Sequence, residues 1–135
     1  MGATKLRGRV DRIDRSGPDG VAIVDYKTGK PQSQEDADES LQLSLYALAA
    51  KQVWGHNVSQ LIFYNLENNI AVATTRNDAQ LEEAKIRVQK VAENIAAGQF
   101  SAKPGYQCVF CPYRNLCPAT EKVVSISPRK LAGRN

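Results

Sequence analysis

Hydrophobic positions near the start of the chain fall into two short segments, residues 7–14 and 21–27, which predict a β-hairpin. The sequence Ser-Gly-Pro-Asp-Gly at 16–20 separates them, and its glycines and proline supply the backbone dihedral angles of a reversal. The run Val21-Ala-Ile-Val24 is continuously apolar, as expected for a strand that is buried on both faces. The second strand of the hairpin is therefore predicted to lie inside a sheet.

Helical periodicity follows a polar segment at residues 28–34. Acidic residues at positions 35–39 suit the positive end of a helix dipole, and apolar residues then recur with helical spacing. This pattern predicts one helix over residues 35–53. Its expected buried stripe consists of Leu41, Leu45, Leu48 and Ala49. Gly55 ends the helix, and we interpret His56 as a turn residue.

The following sequence repeats the order of paired strands and a helix. Residues 58–66 and 70–75 flank the turn-rich triplet Glu67-Asn-Asn69, which predicts a second strand pair. A second helix over residues 78–97 begins at Asp78, a good N-cap, and ends at Gly98. Its inward-facing residues are expected to be Leu81, Ala84, Val88, Val91 and Ile95. The order of hairpin, helix, hairpin, helix and irregular tail predicts a mixed α/β fold.

Length and composition favour one folded domain. The chain has 135 residues, of which 42% are hydrophobic and 24% are charged, as in water-soluble globular proteins. The longest nearly apolar run, residues 41–50, is interrupted by Gln42 and Ser44 and is well short of the ~20 residues that span a bilayer. The first ten residues lack the apolar stretch of a secretory signal. The sequence therefore predicts no membrane association.

The net charge of +4 is distributed unevenly. Residues 101–135 hold six basic side chains and one acidic side chain, whereas residues 1–100 are close to neutral. A basic tail is consistent with an anionic partner such as nucleic acid, although exposed lysines and arginines are common on any surface. We predict a core over residues 1–100 and a basic, cysteine-rich tail over residues 101–135 that packs on the core.

Residues able to perform chemistry cluster where the predicted hairpin ends. Asp11 lies on the first strand, and Asp25 and Lys27 end the second, where their i, i+2 spacing places them on one face. Two close carboxylates repel each other unless a cation lies between them, and oxygen ligands are those that Mg²⁺ prefers. A lysine beside the metal can orient a water or offset the charge that builds on a phosphorane. The alternative is a solvated hairpin with ordinary surface charges, but a charged end is unusual after so apolar a strand.

Three cysteines within ten residues form a second cluster. The spacing Cys108-x2-Cys111-x5-Cys117 offers three thiolate ligands, which suit either Zn²⁺ or an iron–sulfur cluster. The odd number argues against the disulfide framework of a secreted protein and predicts a cytoplasmic, reducing setting. The alternative is three buried cysteines without a metal, but the surrounding prolines leave little regular structure to bury them.

These motifs resemble those of the PD-(D/E)XK nuclease superfamily, specifically its RecB-like branch in helicase-nucleases of the AddAB and AdnAB type. Four segments carry the resemblance, in family order and over residues 6–120. They are Gly8-Arg-Val-Asp11-Arg-Ile-Asp14, Val24-Asp-Tyr-Lys-Thr-Gly29, Gln42-Leu-Ser-Leu-Tyr46 and Cys108-Val-Phe-Cys-Pro-Tyr-Arg-Asn-Leu-Cys117. The resemblance implies a restriction-endonuclease-like α/β core, with helices flanking a mixed central sheet, and an irregular cysteine-rich C-terminal segment.

The resemblance also implies roles for residues of the hairpin. Asp11 and Asp25 correspond to metal-binding carboxylates, Lys27 to the catalytic lysine, and the backbone carbonyl of Tyr26 to a further metal ligand. Asp14 lies three residues after Asp11, so it points to the other face of the strand. We therefore interpret Asp14 as an ion-pair residue.

Gln42 and Tyr46 lie one helical turn apart, beside the leucine stripe. Periodicity alone favours an ordinary half-buried role for Tyr46. The resemblance implies instead that both residues face the active site and help to place metal-bound groups and DNA. The implied metal is Mg²⁺ or Mn²⁺, and the implied partner is DNA.

Two parts of the RecB-like pattern are missing. The resemblance implies a [4Fe–4S] cluster on Cys108, Cys111 and Cys117, but its fourth cysteine is not in this chain. The first core helix, which precedes the hairpin in the family, has no counterpart before Leu6. We therefore interpret the chain as the C-terminal portion of a longer nuclease or helicase-nuclease, in preference to a reduced homologue that has lost its cluster.

The leading hypothesis is a magnesium-dependent deoxyribonuclease, an exonuclease that works in a recombination or repair helicase-nuclease beside a helicase domain or subunit. Such a portion of the protein can be inactive on its own. One alternative is a catalytically silent, nuclease-like module that only binds DNA. Another is a zinc-stabilised structural domain whose acidic residues are incidental.

Overall fold

A mixed sheet forms the centre of the protein. Within residues 5–119, which the computed structural model describes, the strands are β1 (Arg12–Ser16), β2 (Gly20–Lys27), β3 (Asn57–Asn65) and β4 (Ile70–Thr74), in the spatial order β1-β2-β3-β4. β1 and β4 pair antiparallel with their neighbours, whereas β2 and β3 pair parallel. A parallel pair needs a long crossover, and the two helices between β2 and β3 supply it. The predicted α/β class with a mixed central sheet and flanking helices is confirmed.

β2 is the best buried strand of the sheet. The residues Val21, Ala22, Ile23, Val24 and Asp25 are all buried, as the continuous apolar run predicts. The hairpin forms as expected, but β1 is shorter than predicted and begins at Arg12, so Asp11 lies just before the strand. The register aligns Arg12 with Val24, and it therefore brings Asp11 close to Asp25 at the end of the hairpin.

The single helix predicted over residues 35–53 is wrong, because two helices occupy this segment. α1 (Gln34–Asp38) begins at Ser33, which forms a capping box with Asp36, and α2 (Leu41–Val53) has Ser40 as its own N-cap. The Ser40 hydroxyl accepts a hydrogen bond from the Leu43 amide at 3.2 Å. A second N-cap within the segment starts a new helix at this point, and it places the first turn of α2 beside the end of β2.

The buried face of α2 also differs from the predicted stripe. Leu43, Ala47 and Ala50 are almost fully buried, and they pack with Ile23 and Leu61 in the core. Of the predicted stripe, Leu48 is buried, whereas the other three residues are half-buried and line an open groove of about 1160 Å³ beside residues 6–13. α2 is therefore apolar on two sides, only one of which faces the sheet.

The last long helix, α3 (Asp78–Ala96), covers the remaining part of the core. Leu81, Ala84 and Val88 are buried, as predicted. Val91 and Ile95 are 52% and 56% exposed, so the prediction that they face inward is wrong. Only the first three turns of α3 supply buried side chains, which is why the apolar pattern overestimates the length of its buried face.

The chain divides into two compact units, residues 1–93 and 94–135. Beyond α3, the described part of the second unit contains two short 3₁₀ helices, Tyr106–Phe110 and Arg114–Leu116. Residues 120–135 of the predicted tail, which hold four of its six basic side chains, lie outside the described residues. Packing of the tail on the core stays a prediction. In the described part of the chain, no helix combines the length and the apolar character that crossing a bilayer requires.

Candidate active site

The end of β2 brings a carboxylate and an amine together. Asp25 is 4% exposed, and its Oδ2 lies 2.7 Å from the Nζ of Lys27, two residues later on the same face of the strand. The Lys27 ammonium also lies 4.6 Å from the ring centroid of Phe63 on β3. A buried carboxylate is stable only when it is paired and hydrogen-bonded, and the neighbouring lysine meets that requirement.

Gln42, in the first turn of α2, forms hydrogen bonds with both Asp25 and Lys27. Its side-chain Oε1 accepts a hydrogen bond from Lys27 Nζ at 2.7 Å, and its Nε2 donates to Asp25 Oδ1 at 2.9 Å. One amide thereby fixes the orientation of the acid and the amine together. This contact depends on the short α1 and the new N-cap at Ser40, which set where α2 begins.

Tyr46 lies one turn further along α2 and closes the network. Its hydroxyl is 2.8 Å from the backbone carbonyl of Arg9 and 3.2 Å from Asp25 Oδ1, and it accepts a hydrogen bond from Gln42 Nε2 at 2.9 Å. Burial raises the pKa of Tyr46, and the negative charges of Asp25 and Asp11 raise it further, against the opposing effect of the Gln42 hydrogen bond. Tyr46 therefore stays a neutral phenol that links α2, β2 and the segment before β1.

Asp11 reaches the site from the chain just before β1. Its Oδ2 accepts a hydrogen bond from the backbone N–H of Tyr26 at 3.1 Å. The negative charge of Asp11 also helps to raise the pKa of Tyr46. Of the residues identified from the sequence, Asp25, Lys27, Gln42 and Tyr46 are thus joined by direct contacts, and Asp11 adjoins them through the Tyr26 amide.

Asp14 lies outside this group, as predicted. Its carboxylate pairs with Arg12 at 2.9 Å, and the Asp14 side chain is 41% exposed. Arg12 Nη1 also donates a hydrogen bond to the Tyr26 hydroxyl at 3.1 Å. Two hydrogen bonds raise the pKa of Arg12: the one to Asp14 has the largest effect, and the one to Tyr26 the next largest. The interpretation of Asp14 as an ion-pair residue is confirmed.

Sequence reasoning missed Asn65, which supports the site from β3. Asn65 is 1% exposed, its Oδ1 accepts from the Gln32 amide at 2.8 Å, and its Nδ2 donates to the Gln32 carbonyl at 3.0 Å. The register pairs Asn65 with Lys27. Asn65 thus holds the loop that leaves β2, a role that no local sequence signal reveals.

The donor set at the hairpin end is suited to a hard divalent cation. Across residues 5–119, no group of three or more histidine, cysteine, aspartate or glutamate side chains is arranged to hold a metal ion. Mg²⁺, however, is commonly held by one or two carboxylates, with waters and substrate oxygens completing its shell. Asp11, Asp25 and the Tyr26 carbonyl are oxygen donors of this kind, so their chemistry fits Mg²⁺ or Mn²⁺.

Cys108 lies on the first 3₁₀ helix of the second unit, Cys111 directly follows that helix, and Cys117 directly follows the second; all three are half-buried. The backbone N–H of Gly105 donates to Cys108 Sγ at 3.4 Å, and the Cys111 amide donates to the Cys108 carbonyl at 3.4 Å. Hydrogen bonds to sulfur are common around metal-binding thiolates. The cluster itself stays a prediction.

Comparison with known families supports the interpretation of the hairpin. The family model of the PD-(D/E)XK nuclease superfamily matches residues 2–118, which is most of the chain. The match spans β1 to β4, all three helices and the cysteine segment. No curated protein matches the chain.

Proposed function

Because the chain belongs to the PD-(D/E)XK nuclease superfamily, we propose that it is a deoxyribonuclease that hydrolyses phosphodiester bonds with a divalent metal. One observation carries the proposal: Lys27 Nζ lies 2.7 Å from both Asp25 Oδ2 and Gln42 Oε1, at the end of a buried strand. The charged side chains of an ordinary surface hairpin are solvated, whereas here an acid, an amine and an amide contact one another at the end of a buried strand.

Asp11, Asp25 and the backbone carbonyl of Tyr26 are the groups that would hold Mg²⁺ or Mn²⁺. A divalent cation in such a site supplies Lewis-acid chemistry for phosphoryl oxygens and for water. The pairing of Asp25 with Lys27 neutralises the buried carboxylate in this structure. Asp11 is exposed, so it can approach a ligand from the solvent side.

Lys27 stabilises the negative charge that develops during phosphoryl transfer. A lysine ammonium has three donors, and Asp25 and Gln42 accept from two of them. The third can donate to a phosphoryl oxygen, where a fixed positive charge stabilises the transition state. Gln42 keeps the ammonium and the carboxylate in place while this happens, and Tyr46 ties α2 to the same carboxylate.

We further propose that the enzyme is an exonuclease of the RecB-like branch, acting in recombination or repair with a helicase domain or subunit. The contacts of Gln42 and Tyr46 with Asp25 support this assignment, because that branch places the corresponding pair at its active site. The order of the four motifs along the chain also supports it.

The direct test is DNA cleavage by the purified protein in Mg²⁺ or Mn²⁺, compared with excess chelator. We expect metal-dependent degradation of end-labelled linear DNA with early release of short products, and slower attack on covalently closed circles. Equal cleavage rates for linear DNA and closed circles would indicate an endonuclease instead of an exonuclease. Salt-sensitive DNA binding without cleavage in either metal, by this chain and by a longer protein that includes it, would overturn the nuclease and select the silent DNA-binding module.

For the second unit, we propose that Cys108, Cys111 and Cys117 bind an iron–sulfur cluster, with the fourth ligand supplied from outside this sequence. After anaerobic reconstitution with iron, sulfide and a small thiol, we expect bound iron and sulfide in comparable amounts and a visible charge-transfer absorption. Both should be lost when the three cysteines are replaced by serine. Stoichiometric zinc in place of iron would select the zinc-stabilised structural domain, and no bound metal would contradict both assignments.

A further inference from the structure

Arg76 follows β4, and its side chain donates a dense set of hydrogen bonds. Its Nε donates to Ser44 Oγ at 2.8 Å. Its Nη2 donates to the carbonyls of Ala37 and Ser40, at 2.7 and 3.3 Å. Its Nη1 donates to Thr74 Oγ1 and to the carbonyl of Thr75, at 3.0 and 2.8 Å. One side chain therefore bonds the end of α1, the start of α2 and the end of β4.

These contacts are unusual for an arginine because the acceptors are neutral. Burial lowers the pKa of Arg76, and the charge of the nearby Asp38 opposes that effect. Within the described residues, Arg76 forms no ion pair within 4.0 Å. The guanidinium, with five N–H donors in a rigid plane, adds hydrogen bonds here to carbonyls at the break between α1 and α2. The Ala37 carbonyl also accepts from the Ser40 amide at 3.4 Å, and the Ser40 carbonyl from the Ser44 amide at 3.2 Å.

The junction that Arg76 holds is the one that places Gln42. Ser40 caps α2 by accepting from the Leu43 amide, and its carbonyl accepts from both Arg76 and the Ser44 hydroxyl. Gln42 lies in the turn between these contacts, and its amide reaches Asp25 and Lys27. A small rotation of this turn would withdraw the Gln42 amide from both partners.

We propose that Arg76 is a positioning residue of the nuclease site, which fixes the first turn of α2 against the end of β4 so that Gln42 bridges Asp25 and Lys27. This inference rests on the proposed function, since it assigns Arg76 a part in the same site. Arg76 touches none of the reacting groups, and its effect passes through Gln42 alone.

A polar cavity of about 440 Å³ beside Arg76 makes the proposal testable by chemical rescue. Arg76, Ser44 and Arg87 are among the residues that line it. Removing the Arg76 side chain extends this open cavity, so a free guanidinium ion can enter and donate to the same carbonyls. The exposed Arg87 on α3 is the matched control, because it borders the cavity but, within the described residues, forms no side-chain hydrogen bond or ion pair with the junction.

The experiment compares Arg76→Ala and Arg87→Ala in metal-dependent DNA cleavage. We expect Arg76→Ala to lower kcat about 10- to 100-fold, the usual cost of losing a residue that orients a functional group, with KM changed less than about twofold. Millimolar guanidinium should restore most of that loss, whereas the same concentration of sodium should not. Arg87→Ala should retain the wild-type kcat with and without guanidinium.

A second readout needs neither DNA nor metal. In ¹⁵N-labelled protein, the Gln42 side-chain amide signal, assigned by its absence in Gln42→Leu, should shift and lose protection from exchange in Arg76→Ala and recover with guanidinium. If the wild-type protein cuts no DNA, the proposed function fails. The Gln42 amide signal then still tests whether Arg76 positions Gln42. An unchanged Gln42 signal in Arg76→Ala would overturn that inference. Should Arg76→Ala fail to fold, Arg76→Lys is expected to show a partial shift, and an unperturbed signal there would overturn the inference equally.

Discussion

Replacing Asp25 with asparagine is expected to reduce metal-dependent DNA cleavage by at least about a thousandfold. Asp25 is 4% exposed, and its two carboxylate oxygens accept hydrogen bonds from Lys27, Gln42 and Tyr46. Asparagine keeps the shape but removes the negative charge that a metal site and the Lys27 ammonium both need. Losing about 4 kcal/mol of transition-state stabilisation corresponds to this factor. Initial rates at saturating Mg²⁺ measure it.

The control for Asp25→Asn is the same substitution at Asp14. Asp14 belongs to β1, is 41% exposed and pairs only with Arg12 among the ion pairs described. Exposed pairs contribute little to stability, so Asp14→Asn should keep its rate within about twofold. Circular dichroism should show both variants folded. A folded Asp25→Asn protein that retains more than a tenth of the wild-type rate would contradict the assignment of Asp25 as a metal-binding carboxylate.

Replacing Lys27 with methionine is expected to lower kcat about 100- to 1,000-fold, the cost of removing one preorganised donor to a developing negative charge. Methionine keeps an unbranched apolar stem that can still pack near Phe63. The variant leaves Asp25 without its cation, and we expect the free energy of unfolding to fall by about 1–3 kcal/mol. This is less than for a fully buried pair, because the Lys27 side chain is 25% exposed.

Steady-state cleavage rates and urea unfolding together measure the effect at Lys27. Lys30→Met is the matched control, since Lys30 is an exposed lysine three residues later in the loop after β2. It should change neither the rate nor the unfolding midpoint appreciably. If Lys27→Met and Lys30→Met cleave DNA equally well, Lys27 is not the catalytic lysine, even if Asp25 proves essential.

The sequence was sufficient to predict the parts of the site that depend on local periodicity. The apolar run before Asp25 predicts a buried strand, and the i, i+2 and i, i+4 spacings place Asp25 with Lys27 and Gln42 with Tyr46. These contacts follow once a strand and a helix are assumed. For the same reason, the α/β class and the positions of most elements were predictable.

The errors arise where tertiary contacts decide between equivalent local patterns. α2 carries one apolar series at Leu41, Leu45 and Ala49 and another that includes Leu43 and Ala47. Both series have helical spacing, so periodicity cannot choose the one that faces the sheet. The junction before α2 was predictable in principle, because Ser40 is a favourable N-cap residue. The helix predicted over residues 35–53 nevertheless runs across Ser40 without a break.

Asn65 and Arg76 could not be found from the sequence for a different reason. Each bonds backbone groups more than thirty positions away, and those groups come within reach only after the sheet and the α1–α2 junction have formed. A polar residue at the end of a strand carries no local sign of such a role. Supporting residues of this kind become visible only with the fold.

The parallel pairing of β2 with β3 has a consequence for the order of folding. Val24 aligns with Ile62, 38 positions later, whereas its partner on β1, Arg12, lies within the same hairpin. All five residues of the candidate site precede β3 in the chain. During synthesis they leave the ribosome before the strand that covers β2, and long-range pairing of this type is slow. A nascent chain therefore contains all five residues of the candidate site before β3 can hold their strand in place, so we expect the site to form late, when β3 has docked.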